Sequence, residues 1–495
     1  RGGVLVMVTL TLPVVLGFAA IVVDLGRLAA QQAELQSFAD HVALAAAGEL
    51  DGEDGARARA RTAAGLITGD RQTFAEGTTQ LATSADIGLR FLADLPASDD
   101  DPVTDAFLAT NDADARFVEA TVVPRTVALG LTRGFSALVG GGLADTTQVG
   151  ATAVAGSTQF ICDVVPLAFC PPAPGIYQSM AGRGVGLKQL GGGAMLGPGN
   201  FGLIDVEADP TGPCGSPNQG AAYWSCAAAL SQGAARCVDR RQGVGMRPGQ
   251  MTGPATAGIN VRFDIFETTL SGRRDQAGFE PAPHVVKGRV AGGGGGGGGQ
   301  GKGKGKGQGN AGNGGGGGSG AACINNMNAS STSPDTMAFP RDDCFATNSC
   351  PTAGIGDGSW DEATYIQTNH GGTPPAGYVT GTGGTRYQLY LAEIAAAAGG
   401  DILSGRAETG RPTCSSTMSP SPERRVMVAA ALDCVPPPSG NQSGVPVLDY
   451  WRVFLTEPAG LTANGEIWVE FIERIGVPGS AAGGGILRDV VQLYR

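Results

Sequence analysis

Ten cysteines and three histidines are the residues of this 495-residue chain whose chemistry could matter most. The cysteines are Cys162, Cys170, Cys214, Cys226, Cys237, Cys323, Cys344, Cys350, Cys414 and Cys434. No two form a C-x-x-C pair, the spacing that a zinc site or a redox dithiol needs. An even number of thiols fits up to five disulfides in an oxidising compartment, with the connectivity left open. His41, His284 and His370 form no H-E-x-x-H, and neither a G-x-S-x-G elbow nor a dinucleotide fingerprint occurs. His41, beside Asp40 on the helix described below, reads as a packing or interface residue.

Other groupings are equally bland. Asp99, Asp100, Asp101, Asp105, Asp112 and Asp114 offer oxygens to calcium but lack EF-hand spacing, so they read as a solvated loop. Gly296 to Gly303 approaches a Gly-x4-Gly-Lys phosphate loop. Gly303, however, stands where Ser or Thr is required, and no strand or helix flanks the segment. Arg57, Arg59 and Arg61 read as a solvated helix face, and Glu466 and Glu470 as strand carboxylates facing solvent. Trp224, Trp360, Trp451 and Trp468 are assigned to core packing. No catalytic, cofactor-binding or metal-ligating residue is expected.

The elements around these residues begin with an apolar run. Val4 to Val23 carries no charge, about the 20 residues that a helix needs to cross the hydrocarbon core. Pro13 and Gly17 are tolerated in such helices, and Thr9 and Thr11 can bond back to the preceding turn. The chain starts at Arg1 without an initiator methionine, so upstream residues are expected to be missing. The run continues into a helical pattern instead of a cleavage site, which reads as an uncleaved anchor with its N-terminus in the cytoplasm. Leu28, Leu35 and Val42, with Phe38 and Ala45 between them, form an apolar seam of helical period, and Gly48 is a C-cap. One helix of roughly 45 residues, about 65 Å long at 1.5 Å per residue, is predicted.

Strands follow at Ile87–Leu92, Phe117–Val123, Val127–Leu131 and Ala151–Ala155. Ile259, Val261, Phe263 and Ile265 alternate strictly and predict a half-buried strand. A helix is expected from its N-cap Thr385 to Gly399, and a buried strand over Arg424–Cys434. Tyr450–Leu455 and Ile467–Ile472 add two more strands. These elements imply an α+β chain, a long N-terminal transmembrane helix extending into a mainly β, loop-rich, disulfide-containing body. The expected division is 1–48 anchor and helix extension, 49–160 a small α+β, pilin-like domain, 161–290 the first part of a β-rich domain, 291–322 a Gly-rich linker or insertion, and 323–495 the second part with one helix.

Composition limits the partners. A net charge of −11 and a pI near 4.9 argue against nucleic acid and against an anionic membrane surface as main partner. The 82 glycines, with only 16% charged residues, signal many loops.

Four N-terminal phrases, Arg1–Met7 through Leu12-Pro13, Val23–Arg27, Leu35–Asp40 and Leu44–Ala47, resemble the start of the TadE/TadG-like proteins of the tight-adherence (Flp) pilus system. Cys162–Cys170, Gly197–Gly202, the strand ending at Cys434 and Phe454–Pro458 are also similar to TadG-like bodies. Residues 49–150 and the glycine tract match poorly. Pseudopilin-like members carry a Glu near the position of Met7, and its absence favours the TadG-like branch of membrane-anchored accessory proteins. The D-x-S-x-S of von Willebrand A domains, found in some TadG-like proteins, is missing.

The resemblance implies a non-enzymatic, single-pass bacterial inner-membrane protein with its body in the periplasm. Its partners would be lipid through residues 4–23 and pilus-assembly proteins or pilins through the 25–47 helix and the body. Its seam would pack against partner helices. The alternatives are a minor pilin in an extracellular filament or a membrane-tethered periplasmic hydrolase.

Overall fold

The computed structural model describes residues 2–67, 73, 86–98, 100–140, 146–162, 164–172, 174–189, 196–197, 199–205, 213–214, 221–230, 237–239, 243–247, 252–266, 268–283, 337–351, 354–381, 383–398, 415, 417–438, 442–459, 466–475 and 487–494. His284, Cys323, Cys414 and the glycine tract lie outside them.

In chain order the first elements are α1 (Gly2–Ala47), α2 (Ala56–Leu66), β1 (Ile87–Leu92), β2 (Phe117–Ala128), α3 (Gly130–Val139) and β3 (Thr146–Ile161). Next come β4 (Val164–Phe169), α4 (Pro174–Tyr177), β5 (Gly184–Gln189), β6 (Asn200–Asp205), α5 (Ala221–Ala229), β7 (Val238–Asp239), β8 (Val244–Arg247) and α6 (Thr252–Asn260). The chain finishes with α7 (Asp343–Thr347), α8 (Glu362–His370), α9 (Arg386–Ala397), β9 (Val426–Leu432), β10 (Gln442–Val445), β11 (Val447–Leu455), β12 (Glu466–Arg474) and β13 (Leu487–Leu493). The fold is α+β, a long apolar N-terminal helix followed by a β-rich body. The chain divides into two compact units, residues 1–159 with 489–495, and residues 160–488.

In the first unit α1 is continuous through Pro13, and its second half lies on a sheet ordered β1-β2-β3-β13, in which β1–β2 and β2–β3 are antiparallel. Leu35, Phe38, Val42 and Ala46 are fully or almost fully buried against the apolar face of β2 and β3, including Val118, Ala120 and Ala153. That face comes from strand alternation, which puts every second side chain under the helix. α2 closes the same core with Ala56, Ala60 and Ala64. The expected strand over Val127–Leu131 is corrected here. β2 itself runs on to Ala128 across a register shift, and Gly130 and Leu131 open α3. The apolar residues on both sides of Leu129 therefore belong to two different elements.

The second unit is built on a barrel. β6, β4, β9, β11, β12 and β5 follow one another in hydrogen-bonded order, and β5 returns to β6. The β4–β9 and β5–β6 pairs are parallel and the other four are antiparallel. Alternate residues fill one core, among them Leu167, Leu187, Met427, Val453 and Phe471. The opposite faces of β4 and β9 carry Val164, Ala168, Val428 and Ala430, which pack with Tyr223, Ala257 and Val261 of the helical segments. β9 is thus buried on both faces, which is why its sequence reads as a continuous apolar run. Its start differs from expectation, because Arg424 and Arg425 end a 3-10 turn, Pro422–Arg425.

The alternating Ile259–Ile265 stretch is not a strand. It is the end of α6 followed by a 3-10 turn, Val261–Phe263. The intervening Asn260, Arg262 and Asp264 are as buried as their apolar neighbours. Asn260 exchanges hydrogen bonds with the Ala459 backbone, Arg262 donates to the Ala228 and Leu230 carbonyls, and Asp264 accepts from Ser415. The polar positions mark buried hydrogen bonds, not a wet face. Gly258 is required where α6 meets α5, since a β-carbon there would collide with the Ser225 carbonyl oxygen.

Among the described residues four disulfides join Cys162 to Cys237, Cys170 to Cys434, Cys214 to Cys226 and Cys344 to Cys350. Cys170–Cys434 spans a sequence separation of 264 and ties together the ends of the parallel β4–β9 pair. Replacing both cysteines with alanine should lower stability by about 2–5 kcal/mol, because the unfolded chain regains the freedom of a long loop. Urea unfolding followed by tryptophan emission checks this.

Candidate membrane and partner interface

From Val4 to Leu25 the large apolar side chains of α1 are open to their surroundings, from 72% at Met7 to 46% at Ile21. Thr9 Oγ1 donates to the Leu5 and Val6 carbonyls and Thr11 Oγ1 to the Met7 carbonyl, so the hydroxyls are satisfied inside the helix. This is the one described helix long and apolar enough to cross a membrane.

Only one stripe of that segment is covered. Gly17 and Asp24 are buried and Pro13 and Ala20 half-buried. α3 does the covering: the Phe135 ring lies on Gly17, where a β-carbon would come within 2.5 Å of Phe135 Cζ. Asp24 Oδ2 accepts from the backbone N–H of Thr132 at 2.7 Å. The stripe continues upward without a break into Gln31, Leu35 and Phe38. Gln32 and Gln36 donate their amides to the Gly150 and Thr152 carbonyls at 3.0 and 3.1 Å.

The expected seam is therefore real, but the protein's own sheet occupies it. A packing stripe at helical spacing looks the same whether its partner is another chain or the next element of the same one. What remains outward on residues 25–47 is Leu25, Gly26, Ala29, Gln32, Ala33, Ser37 and His41, a narrow exposed strip along one side. His41 thus faces outward and takes no part in the core.

Near the upper end of α1 the basic cluster is bound rather than merely solvated. Arg57 pairs with Asp112 at 2.5 Å, Arg59 with Asp51 at 2.5 Å, and the Arg61 guanidinium lies over the Phe91 ring. Asp112 also accepts from Gly55 N at 2.7 Å. The Arg57 hydrogen bond, with the Gly55 N–H, holds its carboxyl below the ordinary carboxylate range. Part of the acidic loop is thus a clamp on the start of α2. Asp105 likewise pairs with Arg90.

In the second unit the buried charges form structural networks. Glu470, expected on a wet strand face, is 1% exposed. It accepts from the Arg386 and Tyr387 backbone N–H groups at 3.0 and 2.9 Å, and so receives the N-terminus of α9. The Arg386 guanidinium binds Glu470 at 2.9 Å and Asp342 at 2.5 Å. Asp342 in turn accepts from Gly184 and Gly358 N–H groups. Burial pushes Glu470 up, against the pull of Arg386 and the two amides.

The N-cap expected at Thr385 is present and forms a capping box with Gln388, although α9 ends at Ala397 with Ala398 left-handed. Gly399 lies outside the described residues. Arg424 donates to the Ala229 and Leu230 carbonyls at the end of α5, and burial drives its pKa well down. His370 Nε2 sits 2.9 Å from the buried Glu393 carboxylate, which also accepts from Tyr365 Oη. Trp224, Trp451 and Trp468 are buried and Trp360 half-buried, all in packed positions. Among the described residues no group of three or more His, Cys, Asp or Glu side chains is placed to hold a metal ion. The pattern Trp468-x-Glu470 between inward Ile467, Val469 and Phe471 was the available sign that Glu470 lies on the outer barrel face.

Residues 2–49 match the Tad family model, described as "Putative Flp pilus-assembly TadE/G-like". The N-terminus is a TadE/G-like domain. The matched TadE/G-like segment is almost coextensive with α1, covering both its open apolar half and its sheet-bound half. No curated protein and no solved structure matches the chain.

Proposed function

We propose that this protein is a membrane-anchored structural component of a tight-adherence pilus assembly system, acting through helix packing and protein contacts and not through catalysis. The observation carrying this reading is that the TadE/G-like segment coincides with one helix in two physical states. Its first half offers an uncharged cylinder to lipid, and its second half is locked into a folded sheet. The inner membrane holds the anchor, with the disulfide-bonded body in the oxidising periplasm. Pilus-assembly proteins or pilins are the partners, reached through the outer row of α1 and the body.

A second reading, a minor pilin carried into the filament, is favoured by one feature. A helix whose first half stands free of its own sheet can pack among the helices of neighbouring subunits.

Cells carrying the Leu10→Arg/Val14→Arg double variant should lose the protein from washed membranes, since each arginine at a helix centre costs about 2.5–3.5 kcal/mol on insertion. Shearing filaments from wild-type cells then separates the two readings. Recovery in membranes identifies a stationary assembly factor, and recovery in filaments a minor pilin. A deletion strain with unaltered pili would remove both.

A further inference from the structure

We propose that α3 is a second membrane-inserting element, an apolar tip held against α1 and immersed in the acyl chains of the leaflet facing the body. The inference rests on the reading of α1 as a bilayer-spanning anchor and adds a lipid contact that the TadE/G-like segment does not contain.

Topology places the tip. β2 and β3 pair down to Ala128 opposite Thr146, and α3 leaves from that last rung. Asp24 receives the Thr132 N–H, one of the donors that a helix start leaves unpaired and that the N-cap residue Leu129 has no side-chain oxygen to satisfy. Phe135 then reaches Gly17. From Asp24 to Gly17 the helix descends about 10 Å at 1.5 Å per residue. Gly17 lies inside the uncharged Val4–Val23 run, so any placement of that run in hydrocarbon carries Phe135 in with it.

The composition of the tip suits that depth. Between Leu129 and Ala144 there is a single charged residue, Arg133. Leu131 is 50% exposed, and Gly134 and Ala137 also face outward. On α1, Phe18, Val22 and Leu25, next in sequence to or within a turn of the covered Gly17 and Asp24, are open as well, so both helices present apolar side chains outward over this stretch. Backbone groups must be satisfied internally at this depth, and α3 ends on Gly140, left-handed, its N–H donating to the Ser136 carbonyl. The long stem of Arg133 allows its charge to reach the headgroups. The occupant of this surface is therefore lipid. A protein anchored this way leaves the bilayer only if the tip is withdrawn together with α1, which disfavours transfer into a filament.

The test uses the full chain in bilayers whose acyl chains are brominated, with single tryptophans added by Leu131→Trp, Ala137→Trp, Val14→Trp and Ala106→Trp and the wild-type emission subtracted. All four positions are exposed, so folding is preserved. L131W and A137W should lose most of their emission to the brominated chains, as V14W does, while A106W should not. If V14W is quenched but the α3 probes are instead quenched by aqueous iodide, the tip lies in water and the proposal fails. If the α3 probes are shielded from both quenchers, protein covers them and the lipid assignment fails. If V14W itself is unquenched, the anchor reading falls, and this inference with it.

Discussion

Replacing Arg386 with methionine is expected to lower unfolding stability by about 3–5 kcal/mol, the typical cost of leaving buried charges without their partner. Arg386 is 1% exposed and lies between Asp342 and Glu470, which are equally buried. Methionine keeps most of the side-chain volume, so the loss is electrostatic and not a cavity effect. All four tryptophans belong to the second unit, so urea unfolding followed by their emission reads this network directly.

The stability of the variant should also depend more steeply on pH than that of the wild type, in which Arg386 opposes the upward push of burial on Glu470. Without the guanidinium, burial dominates at Glu470 and its folded pKa stands above its unfolded value. The folded state then binds more protons than the unfolded one, so stability increases as pH falls through the folded pKa and levels off below the unfolded value. R386M should therefore recover part of its loss between pH 7 and pH 5. A loss below about 0.5 kcal/mol, within the range of an ordinary surface substitution, would show the network to be dispensable.

The second large effect is expected at the α1 seam. Val42→Asp places a carboxylate at a position with 0% exposure between α1 and the β2–β3 face. Val42 is packed among apolar side chains of that cluster, so the cost should exceed about 4 kcal/mol and melt the first unit. Proteolysis should then cut near Ala43–Ala47, while the tryptophan emission of the second unit stays unchanged. His41→Asp, one residue away on the outer row, should stay within about 0.5 kcal/mol of wild type. Equal behaviour of V42D and H41D would mean that the helix is not seated on the sheet. Because the seam is internal, V42D is expected to act by unfolding the first unit. A test of partner contacts belongs on the outer row of α1.

Legibility followed the range of the interactions. The length of α1, the bonds of Thr9 and Thr11, the N-cap at Thr385 and strands β1, β11 and β12 are readable because each depends on spacing within a few residues. The period-two alternation of Ile259–Ile265 implies one wet face, as on a half-buried strand. Here both faces are buried and the polar positions find hydrogen-bond partners far away in sequence. α3 was missed because one strand and one helix share the apolar stretch around Leu129, with no polar cap at the junction.

An uncharged helix long enough for a bilayer, leading into a cysteine-rich, mainly β body, is legible from hydropathy and local periodicity alone. What covers each apolar face is set by tertiary contacts: the sheet under Leu35 and Val42, α3 over Gly17, the barrel and its helices around β9. Those contacts also make Glu470 a buried anchor for α9 and decide which cysteines pair. Local pattern specifies that a surface must be covered, whereas the identity of the cover depends on contacts between residues a hundred or more positions apart, such as Asp24 with Thr132 and Cys170 with Cys434.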